Sequence, residues 1–277
     1  MSGSGSPIQL AVDGRRLAWT VLAAGVAAEV AWFLLDYHVN YGRGSEIGAV
    51  RRLFNTARED SLSSWFAATQ TWMVALTLWL LAAVQRHSRS AWAVAGWMVL
   101  AAFFTYMAAD DGAKIHERLG TAFEVTHRDA PAGSWGRTAL DRFPSYRWQI
   151  VLLPVFAALG LFTLGFLCRE IVDRPGRAMV VTAVACFALA VAFDFVEGLD
   201  PEHPWNLHAW LAERMSLEPG ARRRFGQSAF RSVRHFSKSL EECLEMLATT
   251  LLWCVLLRHL ARIAPELRIR LAPTGTS

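Results

Sequence analysis

Asp110, Asp111, His116 and Glu117 stand together in DDGAKIHERLG, residues 110–120, where an otherwise apolar run ends. Carboxylates mixed with an imidazole are donors for a divalent metal, or groups that accept and release protons. Other apolar runs carry the same residue types at one end. Asp194 and Glu197 lie in FDFVEG, and Glu241, Glu242 and Glu245 in SLEECLEM. Glu29 and Asp36 bracket VAWFLL.

Helical spacing says which of these could cooperate. Asp110 and Glu117, like Glu29 and Asp36, share a face two turns apart, Asp194 and Glu197 are three residues apart, and Glu241 and Glu245 are four apart. On an ideal helix His116 points away from Asp110, and Gly112 is where a distortion would have to bring them together. The expected metal ligands are Asp110, His116, Asp194, Glu197, Glu241 and Glu245. Glu245 and Glu117 are the candidate catalytic bases, and Glu29 is a separate buried polar group. The metal would be Zn, Fe, Mn or Ca. A charged carboxylate near a bilayer centre costs at least about 2.5–3.5 kcal/mol, and Asp194 and Glu197 also sit at an unfavourable helix C-terminus. Something positive should be near them.

The elements that position these residues are apolar helices. The chain of 277 residues is 53% hydrophobic and 19% charged, against about 25% charged for a soluble domain. The apolar residues fall in runs near 17–35, 65–84, 91–109, 148–168, 177–197 and 243–260, each about the length that crosses a hydrocarbon core. The fold class is therefore all-α: a polytopic bundle of about six transmembrane helices. Residues 1–16 are a flexible leader, 17–262 the transmembrane domain, and 263–277 a basic tail.

Arginine supplies almost all of the net charge of +4, since Lys114 and Lys238 are the only lysines. The arginines concentrate in short segments: Arg15–Arg16, QRHSRS, CREIVDRPGR and RHLARIAPELRIR. They read as topology signals, not as a nucleic-acid surface, and they put both termini in the cytoplasm. The longer loops, 36–64, 110–147 and 198–240, then face outward with the acids. Six of the eight histidines join them: His38, His116, His127, His203, His208 and His235. His203 and His208 read as loop surface. Short helices are expected in these loops, including an interfacial one in NLHAWLAERMSLEPGARRRF that stops at Pro219-Gly220. Ser239-Leu240-Glu241-Glu242 reads as a capping box. Four isolated cysteines give neither a zinc motif nor a disulfide frame.

FNTAREDSLSSWFAA, DDGAKIHERLG and EECLEMLATTLLW together resemble bacterial multi-pass membrane proteins to which no activity is attached. The resemblance implies an inner-membrane location and carries no functional residues with it. The architecture is also similar to that of alkaline ceramidases and their membrane-hydrolase relatives, which hold zinc near the outer leaflet with histidines and an aspartate. Their paired histidines on the last helix have no counterpart here. Three function classes follow: a metal-dependent enzyme acting on a membrane lipid or lipid-linked substrate, a proton- or cation-coupled transporter, and an assembly protein whose buried charges specify helix pairing.

Overall fold

The computed structural model describes residues 13–87 and 89–265. Most of the expected leader and tail lies outside the described residues. Eleven α-helices and no strand occur among the described residues. They are α1 (Gly14–Leu35), α2 (Gly48–Leu53), α3 (Leu62–Gln85), α4 (Ala91–Ala113), α5 (Ile115–His127), α6 (Trp135–Arg142), α7 (Arg147–Glu170), α8 (Arg174–Glu197), α9 (Leu207–Arg214), α10 (Glu218–Phe225) and α11 (Ala229–Ile263). A π-helical turn, Asp36–Tyr41, continues α1.

Local chemistry sets the helix starts. Asp13, Ser61, Ser90, Asp173 and Ser228 each accept a hydrogen bond from a backbone N–H of the first turn they precede, satisfying donors that have no partner inside the helix. Two boundaries differ from expectation. Ser228, not Ser239, caps the last helix, so the S-x-x-E pattern at 239–242 lies in mid-helix, where Ser239 turns to a different partner. Pro219 opens α10 instead of ending a helix, consistent with the tolerance of proline in a first turn.

Five helical segments are long and apolar enough to cross a membrane: Gly14–Tyr41, Leu62–Gln85, Ala91–Ala113, Arg147–Glu170 and Arg174–Glu197. The sequence count of six differs by residues 243–260, which form the second half of α11. The first half of α11 carries Arg231, Arg234, Lys238, Glu241 and Glu242. The second half is largely enclosed by other helices. At 35 residues α11 is about 52 Å long, and it packs against α1, α3 and α8, and also against α9 and α10. It is the axis of the bundle.

The short connections between α3 and α4 and between α7 and α8 make each pair neighbours, as expected. The core is built from Leu78, Leu81, Trp97, Leu100, Leu167, Leu252 and Leu256. Outside it, Val30, Leu76, Val155, Leu161 and Leu189 present apolar side chains outward. Surfaces of that kind are at home against lipid tails. The loops between α4 and α7 and between α8 and α11 fold into short helices at one end of the bundle, above the acids.

Candidate functional site at the acidic end of the bundle

The helix of residues 91–113 stops because Lys114 turns left-handed (φ 52°), its N–H bonding back to the Asp110 carbonyl at 2.7 Å. Gly112 takes no part in this break. The chain restarts at once as α5 in a new direction, and that brings His116 back onto Asp110. The backbone N–H of His116 donates to Asp110 Oδ1 at 2.7 Å, and its ring Nδ1 lies 2.6 Å from Asp110 Oδ2. Trp148 packs edge-on against the imidazole. Burial works against charge on His116, but the hydrogen bond and charge of Asp110, with Glu117 and Asp194 beyond, raise its pKa above the ordinary value.

Asp194 and Glu197 occupy the last turn of α8, and Glu241 lies opposite on α11. A carboxylate oxygen from each comes within 4.8 Å of the others. The cation that the sequence demanded is Lys238, one turn before Glu241. Its ammonium is 2.7 Å from Glu241, 3.6 Å from Glu242 and 3.9 Å from both Asp194 and Glu197. Burial opposes that charge, yet Glu242, Glu241, Asp194 and Glu197 together raise its pKa well above the ordinary lysine value. Arg234 adds a second cation, 3.4 Å from Glu197. Trp148 Nε1 and Gln149 Nε2 donate to Asp194 Oδ2 at 3.1 and 2.8 Å. Four carboxyls thus face two cations, and Glu197 Oε2 and Glu241 Oε2 have no hydrogen-bond donor among the described residues.

A polar cleft of about 730 Å³ opens over this group. Its lining includes Asp194, Glu197, Lys238, Trp148 and Arg147 on the bundle side, and Arg58, Asp60, Lys114, Glu117 and Glu124 on the loop side. The Asp60 carboxylate is held at a pKa of about 2 by hydrogen bonds from Arg58 and then Arg52. Glu117 is on the cleft wall, 3.6 Å from Lys114, whose ammonium also meets Glu59 at 2.5 Å. Glu245 lies one turn further along α11, half-buried and within electrostatic range of Glu242, Glu241 and Asp111. Thr71 donates to Asp111 at 3.3 Å.

Of the residues expected to bind metal, the fold therefore joins Asp194, Glu197 and Glu241. Asp110 and His116 make a closed pair beside them, outside that carboxylate triad. Glu29 is elsewhere, buried where α1, α3 and α11 meet, accepting from Thr250 at 2.6 Å and from Gln70 at 3.4 Å. Asp36 is also buried and accepts from Asn40, Ser239 and His235 at 2.7, 2.6 and 2.9 Å. His208 is not loop surface. It is buried in α9 with both ring nitrogens lacking a partner among the described residues, and burial, then Arg234, lower its pKa. Sequence reasoning missed Lys238, although a lone lysine three residues before Glu241 was the signal for it. It also missed Trp148 and Gln149, which no local pattern marks.

Fold and site define a class: an all-helical protein with five helices of membrane-crossing length and an acid-lined cleft at one end. The chain belongs to the family described as Domain of unknown function (DUF8692), whose model matches residues 17–260. Neither a curated protein nor a solved structure matches it.

Proposed function

We propose that the chain is a multi-pass integral membrane protein that takes up a divalent cation from its cleft at Asp194, Glu197 and Glu241. The observation that carries this reading is the meeting of three carboxyl groups from two helices beside an open polar cleft, with two of their oxygens lacking a hydrogen-bond donor among the described residues. An all-oxygen donor set suits Ca²⁺ or Mn²⁺ better than Zn²⁺ or Fe²⁺, which favour nitrogen or sulfur partners. His116, engaged by Asp110, stays outside the ligand set. Lys238 is the resident counter-ion, and a metal displaces its ammonium.

The same reading takes residues 17–262 as the transmembrane domain, with the second half of α11 as a sixth crossing. The basic short loops and both termini are cytoplasmic, and the cleft faces outward. The charged lining of the cleft suits a polar head group or a free ion, not an acyl chain, so uptake of an ion is favoured over lipid hydrolysis.

Metal content and calorimetric titration of the detergent-purified protein test this directly, with Ca²⁺ and Mn²⁺ as probes. Wild type should bind one equivalent. Asp194→Asn should bind none, and Lys238→Met should bind more tightly because the competing ammonium is gone. Absence of binding in both wild type and Lys238→Met would overturn the reading and leave an ion-pair network anchored by lysine.

A further inference from the structure

Five acids are buried among the described residues: Glu29, Asp36, Asp110, Glu170 and Glu241. Four of them have a basic partner within hydrogen-bond distance. Asp36 has His235, Asp110 has His116, Glu170 has Arg89 at 2.5 Å, and Glu241 has Lys238. Glu29 alone is met only by neutral groups, the Thr250 hydroxyl and the Gln70 amide, with the Cys243 thiol nearby. Its place on α1 is about 22 Å from Gly14 and about 18 Å from Tyr41, which is mid-depth for this helix. An acid at that depth with only neutral partners is tolerated when it carries a proton.

Separate polar groups lie on either side of Glu29 along the bundle. Toward the cleft, Thr71 follows Gln70 along α3 on an adjoining face, and its hydroxyl donates to Asp111 at 3.3 Å. Toward the other end, Thr77 on α3 accepts from Trp253 Nε1 at 3.2 Å. Beyond it lie buried Gln85 and His259. The His259 ring faces Arg262 at 3.2 Å, with Arg89, Glu170 and Asp173 as its charged neighbours, and its Nε2 has no partner among the described residues. Before His259 stands an apolar layer of Leu78, Leu81, Leu252 and Leu256.

We infer that Glu29 is the proton carrier of a proton-coupled cation transporter, exchanging protons with the cleft through Gln70, Thr250 and Thr71 and with the opposite face past the leucine layer toward His259. The identity of the coupled cation rests on the metal reading above. The proton pathway itself does not. The apolar layer is what coupling requires, since an unbroken wire would leak protons. When the Glu29 proton leaves, the carboxylate it leaves behind is reprotonated from the other side, so each cycle moves one proton and regenerates the acid.

The test uses the full chain in liposomes enclosing a pH-sensitive dye, with an imposed proton gradient and Mn²⁺ outside. Glu29→Gln keeps the shape and hydrogen bonds of the side chain but cannot carry a proton. Wild type should move protons, Glu29→Gln should not, and His259→Gln should be slower. Infrared difference spectra between low and high pH should show a carboxylic-acid band that Glu29→Gln removes. Metal content of Glu29→Gln should equal that of wild type. Equal flux in wild type and Glu29→Gln, or no flux in wild type that still binds metal, would overturn the inference while leaving the cation site standing. Glu29-dependent flux in a protein that binds no metal would keep Glu29 as the proton carrier but overturn its coupling to a cation, together with the metal reading.

Discussion

Two acidic groups meet α11 at the same level, one at His235 and Ser239 and the other at Lys238 and Glu241, and they have opposite characters. Around Asp36, one carboxylate receives three donors, from Asn40, Ser239 and His235, and the stacked Tyr41 ring closes over His235. Around Lys238, four carboxylates share one ammonium, with Arg234 at the edge, and two oxygens have no donor. The first group is satisfied and has nothing left to bind. The second leaves two carboxyl oxygens without a donor among the described residues and opens to a cleft. A buried charge that is fully paired holds a structure together, whereas one with an oxygen left unmet invites a ligand.

The largest loss of stability is expected at Asp36. Asp36→Ala strands three buried donors, and a loss of about 3–5 kcal/mol is expected for a broken buried pair. Thermal unfolding in detergent would read it, and an unchanged midpoint would remove the structural role assigned to this group. A smaller loss is expected at Gly120, where an added Cβ would stand 2.5 Å from the Trp148 backbone nitrogen. Gly120→Ala forces α5 from α7 and should cost about 1–3 kcal/mol. It should also weaken cation binding, because Trp148 donates to Asp194.

His116 gives a pH signature that sharpens the contrast. Its folded-state pKa is raised, so its contribution to stability is fully present below its unfolded value of 6.5 and is lost as pH rises through the folded value. The unfolding midpoint of wild type should therefore fall with rising pH across that window more steeply than that of His116→Gln. Parallel profiles would show that Asp110 does not hold a protonated imidazole. The smallest effect on stability belongs to Glu241→Gln. Glu241 is buried against Lys238, but the amide keeps an acceptor there and three other carboxyls remain, so stability should fall by only about 1 kcal/mol, yet cation binding should disappear. A variant that melts far lower and still binds would reverse the roles given to the two groups.

Much of this architecture could be read from the chain because apolar run length is set by helix rise. The runs at 65–84, 91–109, 148–168 and 177–197 all fall within the helices observed. The convergence of acids at one end was legible for the same reason, since helix polarity follows from short turns. What escaped was geometry fixed by tertiary contact. Nothing local marks Lys114 as the left-handed residue in preference to Gly112, and that one torsion decides that His116 meets Asp110. The S-x-x-E pattern at 239–242 is equally compatible with a helix start and a helix middle. Ser239 Oγ is drawn to Asp36, 203 residues away in sequence, a contact that no window on the chain contains.

The unbroken course of α11 has a mechanical consequence. At Gly25 the absence of a side chain lets Thr250 come so close that an added Cβ would stand 2.7 Å from it, seating α11 tightly against α1. Lys238 lies twelve residues away along the same rod, about 18 Å. A rod seated there acts as a lever, and a tilt of a few degrees that is barely felt at the fulcrum is multiplied into a displacement at the ammonium. Whatever pulls on Lys238 therefore also strains the Thr250 contact to Glu29, without any signal having to pass through the intervening side chains.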